Sequence, residues 1–226
     1  MTDFNIKIAD KEHFKYAEEI CLHMEESAKA RGTGIAKRSP DYVRLKMEEG
    51  KAIIATTKKG QLVGFCYIET WGHGKYVANS GLIVVPEFRK SGVARGIKHK
   101  AFALSRKKYP EAKIFGLTTS LAVMKLNSEL GYYPVPFSEL TDDKEFWKGC
   151  ASCINYPVLI SKEHKNCFCT GMLYDPQDVK KRKWYFVKNL RFYKSLSKIK
   201  QALFLKKENI KEFVSYFMVR LAKSSK

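Results

Sequence analysis

The segment Leu82-Ile83-Val84-Val85-Pro86-Glu87-Phe88-Arg89-Lys90-Ser91-Gly92-Val93-Ala94 constrains this chain more than any other. It ends an apolar strand at a proline, turns, and opens a helix on small residues. A helix start of this kind aims several unbonded backbone N–H groups in one direction, and the helix dipole adds partial positive charge, so the turn is suited to a phosphate or pyrophosphate. Gly92 lets the backbone approach the anion, Ala94 keeps the first helical turn uncluttered, and Arg89 and Lys90 add cationic charge. Taken alone, Arg-x-x-Gly-x-Ala reads equally as a loop with a solvated basic pair; the flanking elements favour the anion site. The helix behind the turn runs from Gly92 to Tyr109, with Val93, Ile97, Ala101 and Leu104 on one face and Pro110 as its stop.

The surrounding sequence supplies the rest of an α/β unit. Phe4 to Ile8 alternates like a strand, Asp10 offers an N-cap, and Phe14, Ala17, Cys21, Met24 and Ala28 recur at helical spacing. Ser39-Pro40 caps a second helix that Gly50 ends. Ala52 to Thr56 and Leu62 to Glu69 are strands joined at Lys58-Lys59-Gly60-Gln61, and Gly81 to Val85 is a third. Lys113 to Thr118 reads as a strand, Ser120 to Leu130 as a helix and Gly131 as its C-cap. The order is strand, two helices, three strands, helix, strand, helix, strand, with no internal repeat.

A chain of 226 residues with 45% apolar and 29% charged residues has the material for one full domain plus an appendage, which excludes disordered and collagen-like classes. Its apolar runs fall short of the roughly 18 to 20 residues that span a bilayer, and Met-Thr-Asp-Phe-Asn lacks the apolar stretch of a signal peptide. A cytoplasmic protein is therefore expected. The domain division is placed at residues 1–176 and 177–226.

Residues Arg89 to Ala94, behind the Val-x-Pro of Val84-Val85-Pro86, resemble the acyl-CoA signature Arg/Gln-x-x-Gly-x-Gly/Ala of the GCN5-related N-acetyltransferase (GNAT) superfamily. The element order is similar to that fold from residue 3 to about residue 140, including Gly131-Tyr132 where the family usually shows Gly-Phe. The resemblance implies a mixed, mostly antiparallel sheet flanked by helices, with a gap between the fourth and fifth strands that admits the cofactor. It implies that the backbone of Leu82 to Val85 pairs with the pantetheine arm, and that the amides of Lys90, Ser91, Gly92, Val93 and Ala94 hold the pyrophosphate. The co-substrate would be acetyl-CoA or a larger acyl-CoA such as succinyl-CoA.

On the acceptor side, Leu117-Thr118-Thr119 followed by Ser120 and by Gly131-Tyr132-Tyr133-Pro134-Val135 is similar to the acetyltransferase domain of N-acetylglutamate synthases, over some 20 residues. The same residues also suit plain strand and helix-cap roles. The resemblance implies transfer to a primary amine, first the α-amine of glutamate or a similar small amino acid in arginine-type biosynthesis. Another small amine, a protein lysine, or a non-catalytic module that binds CoA or anionic surfaces stay open. Two usual family residues are missing: the glutamate near the start of the fourth strand is matched by Ala78, and the tyrosine four residues before Gly-Phe by Asn127. The nearest substitutes are Glu69 as a water-mediated base and Thr119 or Ser120 as hydroxyl donors to the departing thiolate.

Cys150-Ala-Ser-Cys153 and Cys167-Phe-Cys169 form a second constellation. If Ile154 to Ile160 and Asn166 to Leu173 make a hairpin, four thiolates converge on one structural zinc; unliganded thiols and a redox pair are the alternatives. The extension beyond residue 177 is the most basic part of a chain of net charge +19: residues 178–226 carry 15 Lys and Arg against three acids. Ile210, Phe213, Val214, Phe217, Met218 and Leu221 repeat at helical spacing, an apolar stripe that would pack on the domain or pair two subunits. A membrane-surface helix and a nucleic-acid contact are the other readings.

Overall fold

Three strands in succession, β2 (Ala52–Thr57), β3 (Leu62–Trp71) and β4 (Tyr76–Val84), form the antiparallel centre of one sheet, joined at their outer side by β1 (Phe4–Ile8). The structure, a computed structural model, describes residues 4–31 and 37–178. The chain divides after Pro176. The helical extension, and with it the expected subunit, membrane and nucleic-acid contacts, lies outside the described residues. A 3-10 turn capped by Asp10 leads into α1 (Ala17–Arg31). The Oγ of Ser39 accepts from the Tyr42 amide at 3.2 Å to start α2 (Pro40–Glu48). Then follow α3 (Val93–Lys108), β5 (Lys113–Thr118), α4 (Leu121–Glu129), β6 (Tyr133–Val135), α5 (Lys144–Lys148), α6 (Tyr156–Ser161) and β7 (Thr170–Tyr174).

The sheet order is β1-β2-β3-β4-β5-β7-β6, antiparallel except for β4 against β5. Both of its faces are covered, which is why β2 and β3 read as continuous apolar runs. Ile54, Phe65 and Tyr67 face α1 and α2 through Ile20, Met24, Val43 and Met47. Their neighbours Ile53, Cys66 and Ile68 face α3 through Ile97, Ala101 and Leu104. A third cluster, Phe137, Leu140, Trp147 and Leu159 against Phe115 and Leu173, fastens residues 136–169 to the end of the sheet. Each fully buried isoleucine or leucine here stabilises the fold by about 1.5–3 kcal/mol.

The parallel pairing of β4 with β5 stops early. Tyr76, Val77 and Ala78 pair with Lys113, Ile114 and Phe115, and from Asn79 onward the two strands part. On the other edge of β4 the register with β3 shifts between Phe65 and Tyr67, leaving Gly81 and Leu82 as a bulge. Gly81 has φ +65°, and a Cβ there would lie 2.6 Å from the Tyr67 ring, so only glycine fits. The bulge turns β4 away from β5, and the expected gap opens between them.

The cysteine hairpin does not form. Residues 156–161 are helix α6, and β7 begins only at Thr170, after both members of Cys167-Phe-Cys169. Pro157 explains the difference: it sits in the first turn of α6, where its missing N–H costs nothing, whereas inside a strand it would break the ladder. Among the described residues no group of His, Cys, Asp or Glu is placed to hold a metal ion, so the expected zinc tetrahedron of Cys150, Cys153, Cys167 and Cys169 is not assembled.

Candidate active site

Where β4 ends, Pro86–Phe88 makes a 3-10 turn, Lys90 adopts φ +62° and Gly92 φ +87°, and α3 starts on Gly92 without a side-chain cap. A Cβ built at Gly92 meets no atom within 4 Å, so the space in front of the first α3 amides is open. An uncapped, exposed helix start with a left-handed glycine fits a pyrophosphate, as the sequence predicts. Val84 pairs with Gly64 of β3, and its carbonyl accepts a bond from Arg89 Nε at 3.2 Å. Arg89, expected beside the phosphates, is folded back onto the strand edge that the pantetheine arm would use. Ser91 Oγ is likewise turned inward, to the Phe88 carbonyl at 2.5 Å. Val85 and Val93 are buried in the core beneath the turn, and Ala94 is half-buried.

The gap between β4 and β5 opens into a cavity of about 520 Å³. Asn79, Ser80, Gly81 and Leu82 line it from β4, Gly116 to Ser120 from β5 and the loop after it, and Val123 and Asn127 from α4. Lys98 reaches it from α3. Lys37, Arg38, Tyr42, Glu69 and Phe146 also line it.

Four lining residues, Arg38, Tyr42, Tyr67 and Glu69, belong to an ordered charge cluster. Glu69 receives hydrogen bonds on both oxygens, from the Tyr42 hydroxyl and from Lys46 Nζ at 2.8 Å. Burial works against the Lys46 ammonium, but Glu69 and Glu49 outweigh it and hold its pKa above the ordinary lysine value. Burial, then Tyr67 and Glu69, push the Tyr42 phenol upward, so it stays protonated and donates. Arg38 Nε donates to the Tyr67 hydroxyl at 2.8 Å, and its guanidinium lies 5.2 Å from the centre of the Tyr42 ring. Arg38 Nη1 donates to the Lys37 carbonyl at 3.0 Å, and among the described residues no carboxylate forms an ion pair with Arg38, which leaves its remaining N–H groups for a ligand oxygen.

The four cysteines of the sequence constellation line this cavity's outer wall. Burial and the neighbouring thiols raise Cys150 to about 11 and Cys169 to about 12. Asn155 joins the two pairs: its amide donates to Cys153 Sγ at 3.4 Å, and its carbonyl accepts from Cys167 Sγ at 3.8 Å. Their role in the structure is that of a polarisable wall.

Glu69, Thr119 and Ser120 are thus brought to one cavity, whereas Val84, Val85 and the elbow residues 89–94 are not part of its lining. Ser120 stands at the N-cap position of α4, yet its hydroxyl makes no cap bond; the Ser120 amide is instead held by Thr118 Oγ1 at 3.0 Å. The sequence reading missed Arg38, Tyr42 and Lys98. Arg38 lies just ahead of the Ser39-Pro40 cap, where a basic residue carries no periodic signal. Lys98 was legible: it sits beside Ile97 on the buried face of α3, where a lysine breaks the apolar stripe.

Solved structures share this fold. The N-acetylglutamate synthase of Neisseria gonorrhoeae, complexed with coenzyme A and N-acetyl-glutamate, superposes with TM-score 0.55 at 14% identity over 77% of this chain and 35% of that one. An acetyltransferase of the GNAT family from Staphylococcus aureus gives TM-score 0.51 at 15% identity, over 62% of this chain and 91% of that one. The chain has the GNAT fold. Another GNAT-like relative in shape, yncA from Salmonella typhimurium, solved with its cofactor acetyl-CoA, gives TM-score 0.53 at 14% identity over 77% and 94% of the two chains. The chain spans about a third of the length of the gonococcal synthase. No protein-family model and no curated protein matches the sequence.

Proposed function

We propose that the protein is an acyl-CoA-dependent N-acyltransferase whose acceptor is a small amine bearing a carboxylate, in the first place the α-amine of glutamate. The observation that carries this reading is a cavity lined both by the residues of the β4–β5 gap and by a cation, Arg38, with no ion-pair partner among the described residues. The cofactor would lie along β4, with its pyrophosphate at the amides of residues 90–94 and its thioester near Asn79 to Gly81. The acceptor would sit with its carboxylate gripped by Arg38, with help from Lys37.

Glu69 suits the removal of the acceptor's proton through a water. Both of its oxygens are engaged by Tyr42 and Lys46, but each keeps a second lone pair. Thr119 and Ser120 would hydrogen-bond at the thioester end. The gonococcal synthase, of the same fold, was solved with coenzyme A and N-acetyl-glutamate, a ligand of this acceptor class.

The test is a panel of free amino acids, polyamines and lysine peptides with acetyl-CoA and succinyl-CoA, read by release of CoA thiol. Turnover with glutamate or another acidic amino acid is expected, with neutral amino acids weaker by about tenfold or more for the lost Arg38 contact. Turnover on peptides alone would overturn the acceptor assignment. CoA binding with no turnover on any amine would point to a non-catalytic binding module.

A further inference from the structure

Lys98 is a lysine buried in the interior of the described fold. It projects from α3 into the interior, is 2% exposed, and lines the cavity. Its Nζ donates to Asn79 Oδ1 at 3.3 Å and lies 5.4 Å from the centre of the Tyr132 ring. Asn79 Oδ1 also accepts from the Tyr132 hydroxyl at 2.9 Å, while Asn79 Nδ2 donates to Ser105 Oγ at 3.0 Å, so the amide's orientation is fixed. Among the described residues no carboxylate pairs with Lys98. A lysine buried without an anion costs stability, and a ligand that brings the missing anion would remove that cost.

Its position says which anion. Asn79 is the first residue of β4 beyond the last rung shared with β5, so Lys98 stands at the apex of the gap. Asn127, 1% exposed and with no partner for its Oδ1 among the described residues, lines the same cavity. On the reading proposed above, the sulfur of the acyl-CoA thioester ends its path along β4 at this apex. The hydroxyls of Thr119 and Ser120 can hydrogen-bond a thiolate, but they bring no opposite charge to it. An ammonium does.

We propose that the Lys98 ammonium holds the departing CoA thiolate as an ion pair. The acceptor nitrogen, already neutral, forms a bond to the acyl carbon; the C–S bond breaks and its electron pair passes to sulfur. The thiolate is left against the Lys98 ammonium, which keeps its proton. The proton that the nitrogen sheds on becoming an amide goes to the sulfur as CoA leaves, so from the neutral amine onward no proton is gained or lost. The titratable groups facing Lys98 are Cys66 of β3 and Tyr132, and burial drives both upward, Cys66 to about 11. The other elements of that layer contribute apolar side chains, such as Ile6 of β1, Ile53 of β2 and Met124 of α4. Burial lowers Lys98 from the ordinary lysine value, opposed by Cys66, and an anionic sulfur beside it would oppose that lowering further.

The decisive measurement needs no acceptor. Thiolate absorbance near 240 nm is followed against pH for the protein with CoA, minus the same protein with desulfo-CoA, so that only the bound cofactor's thiol is read. In the wild-type protein that thiol is expected to ionise at least one pH unit below free CoA, because an ammonium stands beside it. In Lys98→Met the depression should vanish while CoA affinity changes by less than threefold and thermal stability does not fall. With an acceptor in hand, the same variant should lose at least about 10²-fold in turnover. If CoA binds wild-type protein and its thiol ionises as in free solution, the assignment of Lys98 is overturned, whatever the variant does. A depression that persists in Lys98→Met overturns it as well. If CoA does not bind at all, the acyl-CoA reading itself fails, and this one with it.

Discussion

Replacing Gly92 separates what the backbone contributes to anion binding from what charge contributes. Gly92→Ala and Gly92→Asp both force a Cβ onto φ +87°, at a cost of about 1–2 kcal/mol in the left-handed region. Neither meets a steric obstacle, since nothing lies within 4 Å of the new Cβ. Both variants should therefore melt about 2–8 °C below wild type, by equal amounts, given a shift of about 2–4 °C per kcal/mol in a domain of this size. They should part in CoA affinity. The aspartate sets a carboxylate at the place proposed for the pyrophosphate, and two unit charges 4 Å apart repel by about 1 kcal/mol in bulk water and about 4 kcal/mol at an effective dielectric of 20. The elbow is exposed, so an intermediate value of about 2 kcal/mol applies, or about thirty-fold in Kd. Isothermal titration at low salt reads this directly, and the difference should shrink at about 0.5 M salt as screening shortens the reach of the charge. Equal CoA affinity of the Ala and Asp variants at low salt would remove the pyrophosphate from the elbow.

Three further outcomes are expected. Arg38→Ala should raise KM for an acidic acceptor by about tenfold to a hundredfold, the worth of a charge-assisted carboxylate contact, and leave CoA affinity unchanged; Arg38→Lys should recover only part. Glu69→Gln leaves buried Lys46 with Glu49 alone, at 3.1 Å, and should lower Tm by about 3–6 °C for a loss of about 1.5 kcal/mol, as read by calorimetry. Cys66 titrates at about 11 in the fold and at about 8.5 when unfolded, so the folded state holds its proton more tightly and stability falls as pH rises between those values, at up to about 1.4 kcal/mol per unit. Denaturant melts at pH 8 and pH 10 should show a shallower decline in Cys66→Ala than in wild type.

The elbow and the strand-helix order were legible because each rests on local chemistry. Gly92, Pro86 and the Ser39-Pro40 cap fix backbone geometry within a few residues of themselves, and the period-two and period-3.6 patterns report which faces are covered. The hairpin expected of residues 154–160 and 166–173 fails for the opposite reason. Their apolar residues serve a third cluster at the sheet's end, and short helices of five or six residues, α5 and α6, are too brief to show a period. Pro157 was the local signal against a strand there. The charge network of Arg38, Tyr42, Lys46 and Glu69 could not be read at all, since it joins α2 and its approach to the far end of β3 through the fold alone.

One consequence follows from the place of β7 in the sheet. It is made last among the strands, yet it lies between β5 and β6, with Val135 and Gly171 paired side by side. Everything from residue 136 to residue 169 is therefore an excursion that leaves and re-enters at adjacent points, and it carries Phe146, the cysteines and much of the wall opposite β4. Doubling such a loop adds only about 0.6 kcal/mol of closure cost. The half of the molecule that would grip the cofactor, β4 through the start of α3, shares no chain segment with that excursion. Descendants of this sequence could lengthen, shorten or rewrite it and so exchange one acceptor for another, with the donor half inherited intact.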